Sequence, residues 1–334
     1  MSGKRNITMI LSTYNRAKVL RTTLESMAAL DTEGLDWEIV VVDNNSSDET
    51  RAVIESFAGR LPVRYLFEPR PGKNCALNKA LDESELGQIV VFTDDDIVPV
   101  RAWLKLIRES VDKNPDISVF GGKITLLWPA MKLPAWSQSQ EIMEVAFGWH
   151  DRGDKNWIYS PYDYPIGANF WVRREIFDKG RRYNEQVAWH PKNWIMGTET
   201  SFLKVLREEG YAMLYVPQAA VGHWVQAERI KLSNLWKRAY RSGRGVAYSR
   251  PPYRHELLSR APLLWRFLRI TSLIRLTLKL GVVALHLDQR KRVEKMFVCI
   301  RWFGFGVETL KVTRADFPKS SPMLPKPITD QIPG

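Results

Sequence analysis

Cysteine is nearly missing from this 334-residue chain. Cys75 and Cys299 are the only two, which excludes a disulfide framework and leaves no paired Cys or Cys/His spacing for a zinc or iron–sulfur site. No run of 18 or more uncharged apolar residues exists, so no segment reads as a membrane-spanning helix. The first six residues enter an apolar run at Ile7 without the hydrophobic region of a secretory signal, and no internal repeat is visible. These absences together predict a protein of a reducing, cytoplasmic compartment. Apolar material is plentiful. At 45% hydrophobic residues with thirteen Trp, the chain holds enough for one large domain, or for a domain with an appended helical region, and is neither disordered nor fibrous.

The net charge of +12 is unevenly placed. Residues 229–314 hold 20 Lys and Arg against four acids, a charge of +16, whereas the rest of the chain carries −4. A mildly acidic body is thus followed by a strongly basic part, an asymmetry that predicts two jobs. The expected organisation is a catalytic domain over 1–228, a basic helical region over 229–316 and a Pro-rich, irregular tail over 317–334.

The first half alternates between two periods. Residues 7–13, 37–43, 63–67 and 88–93 are short apolar or β-branched runs of the kind that builds a buried, largely parallel sheet. Helical patterns over 16–30, 48–58, 74–83 and 101–113 lie between and after them. The expected fold is an α/β sandwich wound around one sheet, with ligands bound beyond the C-terminal ends of the strands. From 128 to 194 the pattern loosens into a Pro- and Trp-rich stretch suited to binding loops. A helix over 199–209, closed by Gly210, and a strand over 211–216 follow.

Polar residues therefore matter most at strand ends. The first run closes as Ser12-Thr13-Tyr14-Asn15-Arg16, the second as Asp43-Asn44-Asn45-Ser46-Ser47-Asp48, and the fourth as Thr93-Asp94-Asp95-Asp96. Three adjacent carboxylates repel one another unless a cation sits among them. A hard divalent ion such as Mn²⁺ or Mg²⁺, completed by substrate phosphates, answers that need; an acidic turn that caps the next helix is the plainer alternative.

These segments, with Gly72-Lys73-Asn74-Cys75-Ala76-Leu77-Asn78, Gly167-Ala168-Asn169-Phe170-Trp171, Gly197-Thr198-Glu199 and Val216-Pro217 leading to His223, resemble the family 2 glycosyltransferases of GT-A fold. The resemblance runs from about residue 7 to 229. It implies an inverting transferase that uses a nucleoside-diphosphate sugar and a divalent metal. Asp43 then takes the place of the acid that receives the base N–H of the nucleotide, with Thr13, Tyr14 and Asn15 beside it. Asp94 faces the ribose, Asp96 holds the metal, and Asp95 between them goes either way. Lys73 and Asn78 fall in the segment expected near the anionic nucleotide, at a helix N-terminus.

Inversion needs one carboxylate to take the proton of the attacking hydroxyl. In the family this acid belongs to a Glu-Asp pair at a helix start. Here the pair reads Thr198-Glu199, which makes Glu199 the candidate base, with Glu175, Asp163 or Asp154 as stand-ins. His223 corresponds to a residue that approaches the metal or diphosphate, its alternative being a structural histidine. Gln226-Ala227-Glu228-Arg229-Ile230 is similar to the QxxRW signature of processive synthases, with Ile230 in place of Trp; Arg229 keeps a diphosphate role. Sugar rings pack on aromatic faces, so Trp171, Trp189 and Trp194 are acceptor candidates, with core packing as the alternative.

In the basic region, residues 263–285 and a second helix starting near residue 289 place apolar side chains on one face and Arg/Lys on the other. Cationic amphipathic helices of this kind suit the surface of an anionic membrane, at roughly 1 kcal/mol per basic residue. A helical cap on the body is the alternative. Nucleic-acid binding would need aromatics interleaved with the basic residues, and they lie on a separate face. The expected partners are therefore a sugar donor, a glycan or lipid-linked acceptor, and the inner face of the cell membrane.

Overall fold

The computed structural model describes residues 6–185, 194–249, 270–271 and 288–310. The chain opens with β1 (Ile7–Thr13), α1 (Ala17–Ala28), β2 (Trp37–Asp43), α2 (Thr50–Glu55), β3 (Val63–Phe67), α3 (Lys73–Glu83) and β4 (Ile89–Thr93). Then come β5 (Ile97–Pro99), α4 (Trp103–Lys113), β6 (Val119–Leu127), the short α5 (Gln140–Ile142) with a wide turn over Met143–Phe147, and β7 (Trp157–Ile158). The remaining elements are β8 (Asn169–Arg173), α6 (Glu175–Asp178), α7 (Thr198–Glu208), β9 (Met213–Trp224), α8 (Leu232–Ser249) and α9 (Gln289–Thr309).

The strands form one sheet in the order β3-β2-β1-β4-β8-β6-β9-β5, with β7 on the side of β9. The first four are parallel, as their unbroken apolar runs predict. Both faces are covered. Ile7, Met9 and Leu11 of β1 point toward α1, α2 and α4, while Ile10 points toward α3 and α7, the two-residue alternation of a pleated strand. On α1, Leu20, Thr23, Leu24 and Met27 are buried, a stripe of helical period that sets the helix against the sheet.

Beyond β4 the sheet departs from the largely parallel expectation. β8 runs antiparallel to both β4 and β6, and β5 antiparallel to β9. Only Asp94–Asp96 separate β4 from β5, although three strands stand between them in sheet order. Three residues span at most about 11 Å. The far half of the sheet must therefore curl back toward the C-terminal end of β4, which brings β9 to the aspartates.

Trp171, an acceptor candidate by sequence, is a core residue. It sits in β8, fully buried and stacked parallel to Phe120 at 5.8 Å, with its Nε1 donating to Ser110 Oγ. The alternating partners of a central strand leave it no route to solvent. Trp136 is likewise buried.

The second basic helix is also placed differently from a membrane anchor. Val293 and Phe297 of α9 are buried in a cluster with Trp136, Phe147, Leu235 and Ala239. α8 and α9 approach so closely that a Cβ on Gly304 would stand 2.2 Å from the Tyr240 carbonyl oxygen, and one on Gly243 1.8 Å from that of Arg301. A buried Arg244–Glu308 ion pair of 2.6 Å ties the two helices. The apolar face of α9 is thus a cap on the body. Residues 263–269 and 272–285, the tail and Trp189 lie outside the described residues, among which no helix is long and apolar enough to cross a membrane.

Because Phe297 is fully buried, Phe297→Ala is expected to cost about 3–5 kcal/mol of unfolding free energy. Urea denaturation followed by tryptophan fluorescence measures this; a change near zero would show that α9 is not part of the body.

Candidate active site

The C-terminal ends of β1 and β4, the loop before α7, the end of β9 and one face of α8 line a cavity of about 870 Å³. Asp94, Asp95 and Asp96 form part of its wall. Asp95 is turned away from solvent and held by β1 and α1: Thr13 Oγ1 donates to its Oδ2 at 2.7 Å, Thr23 Oγ1 donates to its carbonyl at 2.8 Å, and the Arg16 guanidinium pairs with Oδ1. Burial and the two neighbouring aspartates still push its carboxyl up to about 6, against the pull of Arg16.

Asp96 is almost wholly buried and faces three basic groups. Its Oδ2 accepts from Arg16 Nη2 at 2.7 Å and from Arg229 Nη2 at 3.2 Å. Burial opposes its charge, but His223, Arg16 and Arg229 outweigh that and hold the carboxyl well below the usual range. His223 reaches it through strand pairing: β9 pairs with β5 so that His223 stands opposite Ile97, and Trp224 N donates to the Asp96 carbonyl at 2.8 Å.

The His223–Asp96 contact has an unusual form. His223 Nδ1 lies 2.6 Å from the Phe147 carbonyl oxygen, which can only accept, so Nδ1 carries a proton. In neutral imidazole Nε2 then presents a lone pair, 3.0 Å from Asp96 Oδ1. That oxygen is buried and receives no aligned hydrogen bond. Two acceptors facing each other repel unless a proton or a cation lies between them. Asp94, Asp96 and His223 each offer a ligand atom within 4.8 Å of the others; the carboxylate oxygens suit Mn²⁺ or Mg²⁺, and the imidazole nitrogen favours Mn²⁺ of the two. The residues present fit a divalent ion.

Across the cavity, Lys73, the first residue of α3, places its Nζ 2.8 Å from both Asp94 Oδ1 and Glu199 Oε1. Burial works against the ammonium, but the two carboxylates hold it above its ordinary value. Burial also opposes the charge of Asp94, and Lys73 outweighs it so that the carboxyl is lowered. Glu199 stands in the first turn of α7, where the helix dipole favours its negative charge. It packs against Gly167, where a Cβ would stand 2.1 Å from Oε1, so only a glycine there leaves room for the carboxylate.

Several residues expected at the site serve the scaffold. Asn78 donates to the Tyr183 carbonyl and accepts from Tyr183 N, which ties α3 to Tyr183, and Asn78 is off the cavity wall. Asn15, at φ +50°, accepts from Ser47 N and so ties the end of β1 to that of β2. Asp43 is buried, accepting from Ser46 N at 2.8 Å and from the Tyr65 hydroxyl at 3.3 Å, and is not on the cavity wall. Thr13, Tyr14, Lys73, Arg229 and Trp194 do line the cavity. Of the alternative bases, Asp163 lines it but pairs with Arg152, while Glu175 and Asp154 bind Ser118 and Lys123 elsewhere.

Sequence reading missed Arg16 as the partner of the aspartates and missed the α8 wall. The need to balance three carboxylates was the signal for Arg16. For Lys237, Arg238 and Arg241 the signal was their spacing on one helical face.

A curled α/β sheet with acidic and basic side chains gathered at its strand ends frames the cavity. A sequence model of glycosyl transferase family 2 matches residues 8–181, just over half of the chain, and the chain belongs to that family. It is 27% identical over 235 residues to the succinoglycan biosynthesis protein ExoM of Rhizobium meliloti (strain 1021), covering 69% of this chain and 71% of that one. It is 25% identical over 247 residues to the probable glycosyltransferase YdaM of Bacillus subtilis (strain 168); that match covers 72% of this chain and 55% of YdaM, so it spans about half of that relative's length. Mannosyltransferase PcManGT from Pyrobaculum calidifontis, solved in complex with GDP-Man and Mn²⁺, superposes with a TM-score of 0.59 at 19% identity, over 92% of this chain and 88% of that one. The protein is a glycosyltransferase of GT-A fold.

Asp96→Asn and His223→Ala are each expected to weaken Mn²⁺ binding about tenfold or more, measured by calorimetric titration of the folded protein. Unchanged affinity in both would place the ion elsewhere.

Proposed function

We propose that this chain transfers a sugar from a nucleoside-diphosphate donor to an acceptor hydroxyl with inversion, in the assembly of a glycan or glycolipid. The observation that carries the reading is that one ammonium, Lys73, reaches both Asp94 of the carboxylate–histidine group and Glu199 of α7. A candidate base and a candidate metal group therefore face the same space.

Asp94, Asp96 and His223 would hold the divalent ion, which supplies charge stabilisation to the leaving diphosphate. Arg229 and Lys73 would meet the phosphates, and Thr13 and Tyr14, which line the cavity, the nucleoside, with Asp43 behind them as the buried support of the β2 end. Glu199 takes the proton of the acceptor hydroxyl as its oxygen bonds to the anomeric carbon; the bond from that carbon to the diphosphate oxygen breaks and the pair of electrons leaves with the diphosphate. A single carboxylate on the acceptor side suffices for inversion. Lys73 pairs with Glu199, so a phosphate that draws the ammonium away also frees the base. Trp194 offers an indole face to the acceptor.

Attachment to the inner membrane face rests on residues outside the described ones, since the apolar face of α9 is taken up by the body. This favours an acceptor brought to the cavity over a cavity carried to the bilayer by α9.

Glu199→Gln is expected to lower the rate of transfer by about 10²–10⁴ while nucleotide binding is retained. Trp194→Ala is expected to raise the acceptor KM, and Trp171→Phe to leave it unchanged. Product analysis by mass spectrometry with a panel of nucleotide sugars checks all three; full activity in Glu199→Gln would refute its role.

A further inference from the structure

Eight Lys and Arg side chains line the cavity, and five of them have an acid at ion-pair distance. Arg16 and Arg229 meet Asp96, Lys73 meets Asp94 and Glu199, Arg152 meets Glu144 and Asp163, and Arg301 meets Glu141. Lys237, Arg238 and Arg241, all on α8, have no carboxylate at that distance among the described residues. Glu228, the cavity acid nearest them in the chain, makes no ion pair with them.

The three fall within five residues of α8, at spacings of three and four that put Arg238 and Lys237 one turn from Arg241 on the same face. Their settings grade outward. The Arg238 Nε is buried without a hydrogen-bond partner, and burial, with Arg229 adding to it, pushes the guanidinium down to about 9. Asp96 and Asp94 both act on it, which places it beside the metal group. Arg241 lies one turn further along, its guanidinium 4.2 Å from the centroid of the Trp194 ring, and Lys237 is on the exposed rim. Stacking on an indole fixes the plane of a guanidinium and leaves its N–H edge for an oxyanion.

Arg238 and Arg241 are half-buried cations without an anion at ion-pair distance, which is costly, and the exposed Lys237 adds like charge beside them. A donor diphosphate meets the divalent ion, Arg229 and Arg238, which leaves Arg241 and Lys237 uncompensated on the side of Trp194. A neutral acceptor would leave them so. We propose that Arg241 and Lys237, backed by Arg238, form a second anion subsite in the cavity, and that the acceptor carries a phosphate or carboxylate close to the hydroxyl that is glycosylated. This rests on the glycosyltransferase reading above for the word acceptor, while the anion subsite itself stands on the side chains.

The test is a calorimetric titration of inorganic phosphate, and then of glucose 1-phosphate against glucose, into the full chain. It is run with and without saturating Mn²⁺ and the nucleoside diphosphate that binds best. Phosphate and glucose 1-phosphate are expected to bind alongside the nucleotide, and glucose at least tenfold more weakly. Arg241→Gln and Lys237→Gln are expected to weaken phosphate tenfold or more in combination while nucleotide affinity stays within threefold. Lys237→Gln alters an exposed side chain, so it keeps the test informative should Arg241→Gln fail to fold, and Arg241→Lys is expected to restore part of the affinity. The proposal is overturned if phosphate binds only by displacing the nucleotide, or binds the Lys237 and Arg241 variants as tightly as the parent. Failure of any nucleoside diphosphate to bind with Mn²⁺ would instead count against the donor reading.

Discussion

The confrontation of Asp96 with His223 is the contact on which the site depends. A buried carboxylate oxygen and an imidazole nitrogen whose partner nitrogen is already committed to the Phe147 carbonyl stand 3.0 Å apart. Such a pair is favourable only with a proton on Nε2 or a cation between the two atoms. The fold nonetheless enforces it from several directions. β9 pairs with β5 beside the aspartates, Trp224 N holds the Asp96 carbonyl, and the wide turn over Met143–Phe147 delivers the carbonyl that sets the histidine tautomer. Gly148, at φ +78°, lets that turn end within 3.5 Å of the imidazole at the position its own Cβ would occupy. This is the second layer of contacts that orients metal ligands in general.

Around that pair the cavity is arranged as a set of charges at strand and helix ends. Arg16, Lys73 and Arg229 favour the ionised carboxylates against burial, which together with the neighbouring aspartates still raises Asp95 to about 6. Removing any one of these cations leaves a buried charge without its partner, which is far more damaging than loss of a surface pair. The same logic turned around draws attention to α8, where cations rather than acids are left over. Catalytic sites commonly keep such charge in place ahead of the ligand, since groups fixed beforehand need no reorganisation at the moment of reaction.

The strands of the first half and the places where they end were legible in the sequence because each apolar run stops abruptly at a polar residue. Thr13, Asp43 and Asp94 to Asp96 mark those stops, and β1, β2 and β3 lie where the runs predict. His223, Glu199 and Lys73 were candidates from a family resemblance, and only the fold shows that Lys73 and Glu199, 126 residues apart in the chain, are in contact. The antiparallel half was harder to see. β8 carries Trp171 in a stretch whose Pro and Trp content suggests loops, and an indole that stacks in a core is indistinguishable in sequence from one that stacks on a sugar. Asn78 was misplaced for a related reason, since an amide that could bind a ligand binds the backbone of Tyr183 instead. The amphipathic pattern of α9 states that one face is apolar without stating what covers it; Trp136 and Phe147 do.

The claim that a cation belongs between Asp94, Asp96 and His223 is tested most directly by diffraction from crystals grown with Mn²⁺ and a nucleoside diphosphate, collected at the manganese absorption edge. An anomalous peak in contact with all three side chains, with the diphosphate completing the coordination, is expected. A nucleotide bound in the cavity with no anomalous peak there, or with the peak at another group of side chains, would contradict it.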